Sequence, residues 1–120
     1  MTESWSHDGR PVPDLVALLR ARIDAGHLET WLTSESGRSF AFVTNTDRAM
    51  LMLLNGEGDA GEHATTPNAE GESDGFVLSN GQSDTYPDAD TVALEQALTI
   101  AGHVVREGTW PADAHHVSDR

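Results

Sequence analysis

The stretch Glu29–Leu54, ETWLTSESGRSFAFVTNTDRAMLMLL, decides how this chain folds. It holds three short runs, Glu29–Thr33, Ser39–Thr44 and Arg48–Leu54. The second, SFAFVT, is aromatic and β-branched, a composition that fits a pleated, half-buried strand. The first sets Trp31 among Leu, Thr and Glu, and is read as a strand with Trp31 in the core. The third, RAMLMLL, is strongly apolar but made of good helix formers. Its strand assignment rests on its short length and turn-like flanks. The linkers Glu35-Ser36-Gly37 and Asn45-Thr46-Asp47 are turn chemistry. Connections this short join antiparallel neighbours, because a parallel crossover needs about a dozen residues or more.

Upstream, Met1–Val12 reads as a loose polar arm from which Trp5 can tuck onto the core. Pro13-Asp14 then opens a segment with Leu15, Leu18, Leu19 and Ile23 at helical spacing, and Gly26 stops it, so a helix is expected over 13–25. Downstream, Asn55–Gly75 is rich in Gly, acid, Thr, Asn and Pro and reads as a long loop. Phe76–Ser79 is read as a strand, Asn80-Gly81 as a turn and Ser83–Tyr86 as the return strand. Asp90 is the expected N-cap of a second helix, in which Val92, Leu94, Ala97, Leu98, Ala101, Val104 and Val105 recur at helical spacing until Gly108. Trp110-Pro111 begins a polar tail, 111–120. The whole, 1–120, reads as a single domain of α+β class: an antiparallel β-sheet with one or two helices packed on a face.

Charge narrows the function. The chain has 7 arginines, no lysine and 20 acids, for a net charge of −13. Nucleic acid and anionic membrane are therefore poor partners for it. No Arg or Lys lies between Arg48 and Arg106, a window that contains Glu57, Asp59, Glu62, Glu70, Glu72, Asp74, Asp84, Asp88, Asp90 and Glu95. A field of that sign draws in a basic protein. With no cysteine there is no disulfide framework, thiol chemistry or Cys-type zinc site. No apolar run approaches the length of a membrane span, and MTESWSHDGR has neither the basic nor the apolar region of a secretory signal. The expected location is the cytoplasm.

Catalytic and cofactor motifs fail one after another. Gly56-Glu57-Gly58-Asp59-Ala60-Gly61 matches G-x-G-x-x-G, but it leads into Glu62–Pro67, which has no helical period, and its acids repel phosphate. Calcium-loop frames begun at Asn55 or Asn68 place Ala60 or Ser73 where Gly is needed, and Thr66 or Ser79 where Glu is needed. His27-Leu28-Glu29 is half of a zinc-deaminase signature whose other half requires cysteines. His63, His103, His115 and His116 form no metal-ligand spacing. No serine sits in a G-x-S-x-G elbow. The expectation is a non-enzymatic binding protein with no cofactor and no metal.

From Arg48 onward the chain resembles the first-numbered immunity-protein family of bacterial polymorphic toxin systems. The matching features are the apolar strand Ala49–Leu54, the Gly/Asp-rich Gly56–Gly61, the strand and turn Phe76–Gly81, and Tyr86-Pro87. The helix Val92–Val105 follows, then Gly108 and Pro111. The resemblance implies an antidote that binds a cognate toxin domain, one acting on nucleic acid as a deaminase or nuclease, and occludes its basic cleft with an acidic face. The candidate contacts are Asp59, Glu62, Glu70, Glu72, Asp74, Asp84, Asp88 and Trp110. Trp110 either seals the core edge or anchors the interface. The competing reading is an acidic adaptor, or chaperone-like module, for a basic protein that is not a toxin.

Overall fold

A computed structural model describes residues 4–120. In chain order its elements are β1 (Trp5–His7), β2 (Arg10–Pro11), α1 (Leu15–Asp24), β3 (Glu29–Ser34), β4 (Ser39–Thr44) and β5 (Arg48–Leu54). There follow β6 (Glu62–Ala64), β7 (Glu72–Val77), β8 (Ser83–Pro87), a 3-10 turn (Asp88–Asp90), β9 (Val92–Ala93), α2 (Leu94–Glu107) and β10 (His116–Ser118). The fold is α+β.

The three runs of Glu29–Leu54 form the centre of an antiparallel sheet ordered β10-β6-β5-β4-β3-β1-β2, with β9 added beside the start of β5. The β4–β5 turn is held by the Asn45 carboxamide, whose Oδ1 accepts from the N–H groups of Asp47 and Arg48. Asp14 caps α1 by accepting from the Ala17 N–H at 3.1 Å. Gly108 closes α2 with φ 81° and an N–H bond to the Val104 carbonyl.

Both helices lie on one face of the sheet. Leu15 and Leu19 of α1, and Leu98 and Val104 of α2, pack with Leu32, Phe40, Phe42, Leu51 and Leu53 in one buried cluster. On β5 the burial alternates strictly: Ala49, Leu51 and Leu53 point to the helices, while Met50, Met52 and Leu54 point away. On β4 every residue from Phe40 to Thr44 is buried. Its second face, carrying Ala41 and Val43, lies under the β7–β8 hairpin, which packs across β4. Phe76 of that hairpin is fully buried and meets Tyr86 edge-on at 4.9 Å.

Several expectations are corrected. Trp31 is not core: it is 44% exposed, whereas its neighbours Thr30 and Leu32 are buried. The two apolar residues Trp31 and Leu32 are adjacent, so only one can face the helices, and pairing with Phe40 assigns that side to Leu32. The segment 1–12 contains β1, which pairs with β3 and buries Trp5. The tail 111–120 contains β10, paired with β6. The stretch 55–75 is not structureless, because β6 joins the sheet within it and β7 begins at Glu72. Gly61 makes that entry possible: it has φ 83°, and a Cβ there would stand 2.9 Å from the Leu53 carbonyl oxygen. The G-x-G-x-x-G run is thus a β5–β6 connection. Asp90 does not cap α2, since Val92 and Ala93 first pair with β5 as β9.

Candidate partner-binding surface

The acids singled out in the sequence divide into three groups. Asp59 and Glu62 are bound within the chain. Arg120 grips Asp59 with two bonds, Nε to Oδ1 at 2.9 Å and Nη2 to Oδ2 at 3.0 Å, and reaches Glu62 Oε2 at 3.2 Å. These bonds from Arg120, with the Asn55 N–H, hold the Asp59 carboxyl down at about 2. Burial pushes Glu62 up, but the Trp110 indole and Arg120 donate to it and keep it below the usual carboxylate range.

Trp110 belongs to the same corner. Its Nε1–H donates to Glu62 Oε1 at 3.0 Å. Its ring meets Phe40 edge-on and stacks on His116 at 5.3 Å. It is buried, at 9% exposure, and seals the edge of the core.

Asp84 and Asp88 are half-buried and also engaged. Asp84 accepts from the Tyr86 hydroxyl at 3.0 Å and from Gln82 Nε2 at 2.7 Å. Burial first, and then Asp84, push the Tyr86 phenol up to about 12, so it stays a donor. Asp88 Oδ1 accepts from the Ser73 hydroxyl at 2.6 Å and lies 3.8 Å from Arg48 Nε.

Glu70, Glu72 and Asp74 are exposed. Glu72 and Asp74 share a shallow polar depression with Asn45, Asp47, Ser73 and Thr85, and Asn45 Nδ2 donates to the Asp74 carbonyl. Arg20 pairs with Glu95 and Arg22 with Thr30 and the Glu29 carbonyl, while Arg48, next to Asp47, is turned to Thr91 and Asp88 rather than to Glu70, Glu72 or Asp74. Glu70, Glu72, Asp74 and Asp47 therefore present a net negative surface to solvent at this end of the molecule.

Two features escaped the sequence reading. His63 bridges two carboxylates, with Nδ1 2.8 Å from Asp119 Oδ2 and Nε2 3.0 Å from Asp90 Oδ1. Burial lowers its pKa, but the two carboxylates outweigh burial and raise it. No spacing rule links residues 63, 90 and 119; β6–β10 pairing brings two of them together. The second feature is the sheet face turned away from the helices. Cross-strand pairing lines up Trp31, Ala41, Met52, His63 and Val117 on it. Trp31 and Val117, at the two ends of that row, are exposed large apolar residues. The alternation of Met50, Met52 and Leu54 in RAMLMLL was the available signal, hidden because every residue there is apolar.

Among the described residues no group of three or more His, Asp or Glu is placed to hold a metal ion, and no helix is long and apolar enough to cross a membrane. Comparison of the chain with models of known families, with curated proteins and with solved structures finds no match.

Proposed function

We propose that this chain is an immunity protein that binds a cognate toxin domain acting on nucleic acid and neutralises it by occluding a basic cleft. The observation that carries the reading is the end of the β7–β8 hairpin. Glu70, Glu72 and Asp74, with Asp47 beside them, face solvent in a chain of net charge −13. A cleft that holds a phosphate backbone presents Arg and Lys, and an acidic surface competes for those groups. The resemblance of residues 48–111 to the immunity family supports the same reading and supplies the toxin as partner.

The test is a turnover assay. The candidate partner to assay is the C-terminal domain of the protein encoded immediately upstream, purified and given a nucleic-acid substrate. One equivalent of this chain is expected to abolish turnover and to elute with the domain as a one-to-one complex. Complex formation with turnover intact would replace the antidote reading by the adaptor reading. Full turnover with no complex contradicts both for that partner.

A further inference from the structure

We infer that the outer edge of β8, Ser83–Pro87, is where the partner docks, and that its occupant is an extended protein segment bearing arginine or lysine, added to the β7–β8 hairpin as a third strand. This rests on the antidote reading above, which supplies the partner, and names the way the partner is held.

The edge is open. β8 pairs with β7 and with no other described strand. Just before β8, the Gln82 carbonyl accepts from the Leu78 N–H at 2.7 Å, so Gln82 turns its main-chain groups toward β7. Alternation along an antiparallel pair then sends those of Asp84 and Tyr86 the same way, and those of Ser83 and Thr85 outward. The irregularity in the hairpin sets Asp74 and Gly75 of β7 against Thr85 alone, so the extra residue is on β7 and the alternation of β8 is kept. The side chains of Ser83, Thr85 and Pro87 are exposed.

The other edges serve less well. β7 packs against β4, and its Asp74 carbonyl already accepts from Asn45 Nδ2 at 2.9 Å. The strands that end the large sheet, β2 and β10, have two and three residues, whereas β8 has five. The hairpin is also held firmly. Phe76 is fully buried, the Ser73 hydroxyl donates to Asp88, and Ser79 at the tip donates twice to Glu29. A template ordered in advance loses little entropy when a strand adds to it, and main-chain bonds then supply the affinity.

Charge selects the occupant. Glu72 and Asp74 are exposed and share their depression with Thr85. Neither carboxylate has a partner among the described residues. An added strand lies one strand spacing from β8 and two, about 10 Å, from β7. A long basic side chain laid over Thr85 spans that gap to the two acids. Pairing β8 with β8 of a second copy would instead bring the same acids together in chains of −13.

The test measures dissociation from the catalytically inactivated upstream-encoded domain for the wild type, Thr85→Pro and Thr85→Ala, with melting temperatures alongside. Proline removes the outward N–H and is tolerated where that N–H faces solvent, so Thr85→Pro is expected to melt near the wild type and to dissociate about tenfold faster or more. Thr85→Ala keeps the N–H and is expected to dissociate like the wild type. Hydrogen exchange on the wild type supplies a second reading that needs no variant: the Ser83 and Thr85 amides should exchange freely in the chain alone and be protected in the complex. A complex in which both amides stay unprotected, or which Thr85→Pro leaves unmoved, overturns this inference and leaves the antidote reading standing. Equal weakening by Thr85→Ala and Thr85→Pro would show that the side chain is read instead of the edge, and overturns it too. Protection that appears in the chain alone as its concentration rises would make a second copy the occupant. A wild type that does not bind the domain overturns both readings.

Discussion

His63 Nδ1 lies 2.8 Å from Asp119 Oδ2, so a histidine of β6 holds the residue that follows β10. Asp90 Oδ1 faces the other ring nitrogen, so both bonds are made only by the doubly protonated ring. A histidine whose folded pKa is raised stabilises below its unfolded value near 6.5, and that contribution is lost as pH rises through the folded value. The C-terminal strand is therefore expected to loosen as pH rises from about 6.5 through the raised folded value of His63. Hydrogen exchange at the Asp119 amide, which donates to the Gly61 carbonyl, reads this once intrinsic rates are corrected. Protection should fall across that range in the wild type and be low and flat in His63→Ala. Equal protection at both ends of the range would show that the bridge does not hold the strand.

Arg48 ties three segments together. Its Nε donates to Thr91 Oγ1 at 2.6 Å, and its Nη2 reaches the Thr91 carbonyl, Thr66 Oγ1 and the Asp88 carbonyl at 3.1–3.3 Å. Thr91 is fully buried, so Arg48→Ala leaves its hydroxyl short of a donor and is expected to cost about 2–3 kcal/mol in urea unfolding. Arg48→Lys should recover little, because an ammonium cannot reproduce the fork. Wild-type stability in either variant would contradict this role.

Trp110 is a core residue with a polar handle. Trp110→Ala is expected to destabilise by about 3–5 kcal/mol, and Trp110→Phe, which keeps the contact with Phe40 and loses the bond to Glu62, by about 1 kcal/mol. Thermal melts decide between the two roles considered for it. A stable Trp110→Ala variant that no longer binds its partner would make it an interface anchor instead.

Reversing Glu70, Glu72 and Asp74 together to Lys should slow association with the toxin domain and flatten its dependence on salt. Stability should stay within about 0.5 kcal/mol, since all three are exposed. Stopped-flow measurements across a range of ionic strength provide the check. An unchanged association rate at every salt concentration would remove the hairpin end from the encounter surface.

The strands β3, β4 and β5, the hairpin turn at Asn80-Gly81 and both helices were legible in the sequence because each carries a repeating apolar pattern or strong turn chemistry. The short strands were not. Trp5–His7, Glu62–Ala64 and His116–Ser118 hold three residues each, too few for a period to declare itself, and they form only because a longer strand stands ready to pair. The candidate surface divided the same way. Charge alone marked out Glu70, Glu72 and Asp74, but it marked Asp59, Glu62, Asp84 and Asp88 equally, and their internal partners Arg120, Trp110, Tyr86 and Ser73 come from remote or unpatterned positions. The facing of Trp31 depended on register with β4, which composition does not specify.

The central claim, that this chain is an antidote, is tested most directly in living cells. A host that the upstream-encoded toxin domain kills is made to express this chain at the same time, and survival is counted. Full survival, reduced when Glu70, Glu72 and Asp74 are together reversed to Lys, is the predicted result. Undiminished killing, with both proteins soluble and abundant, would contradict the account.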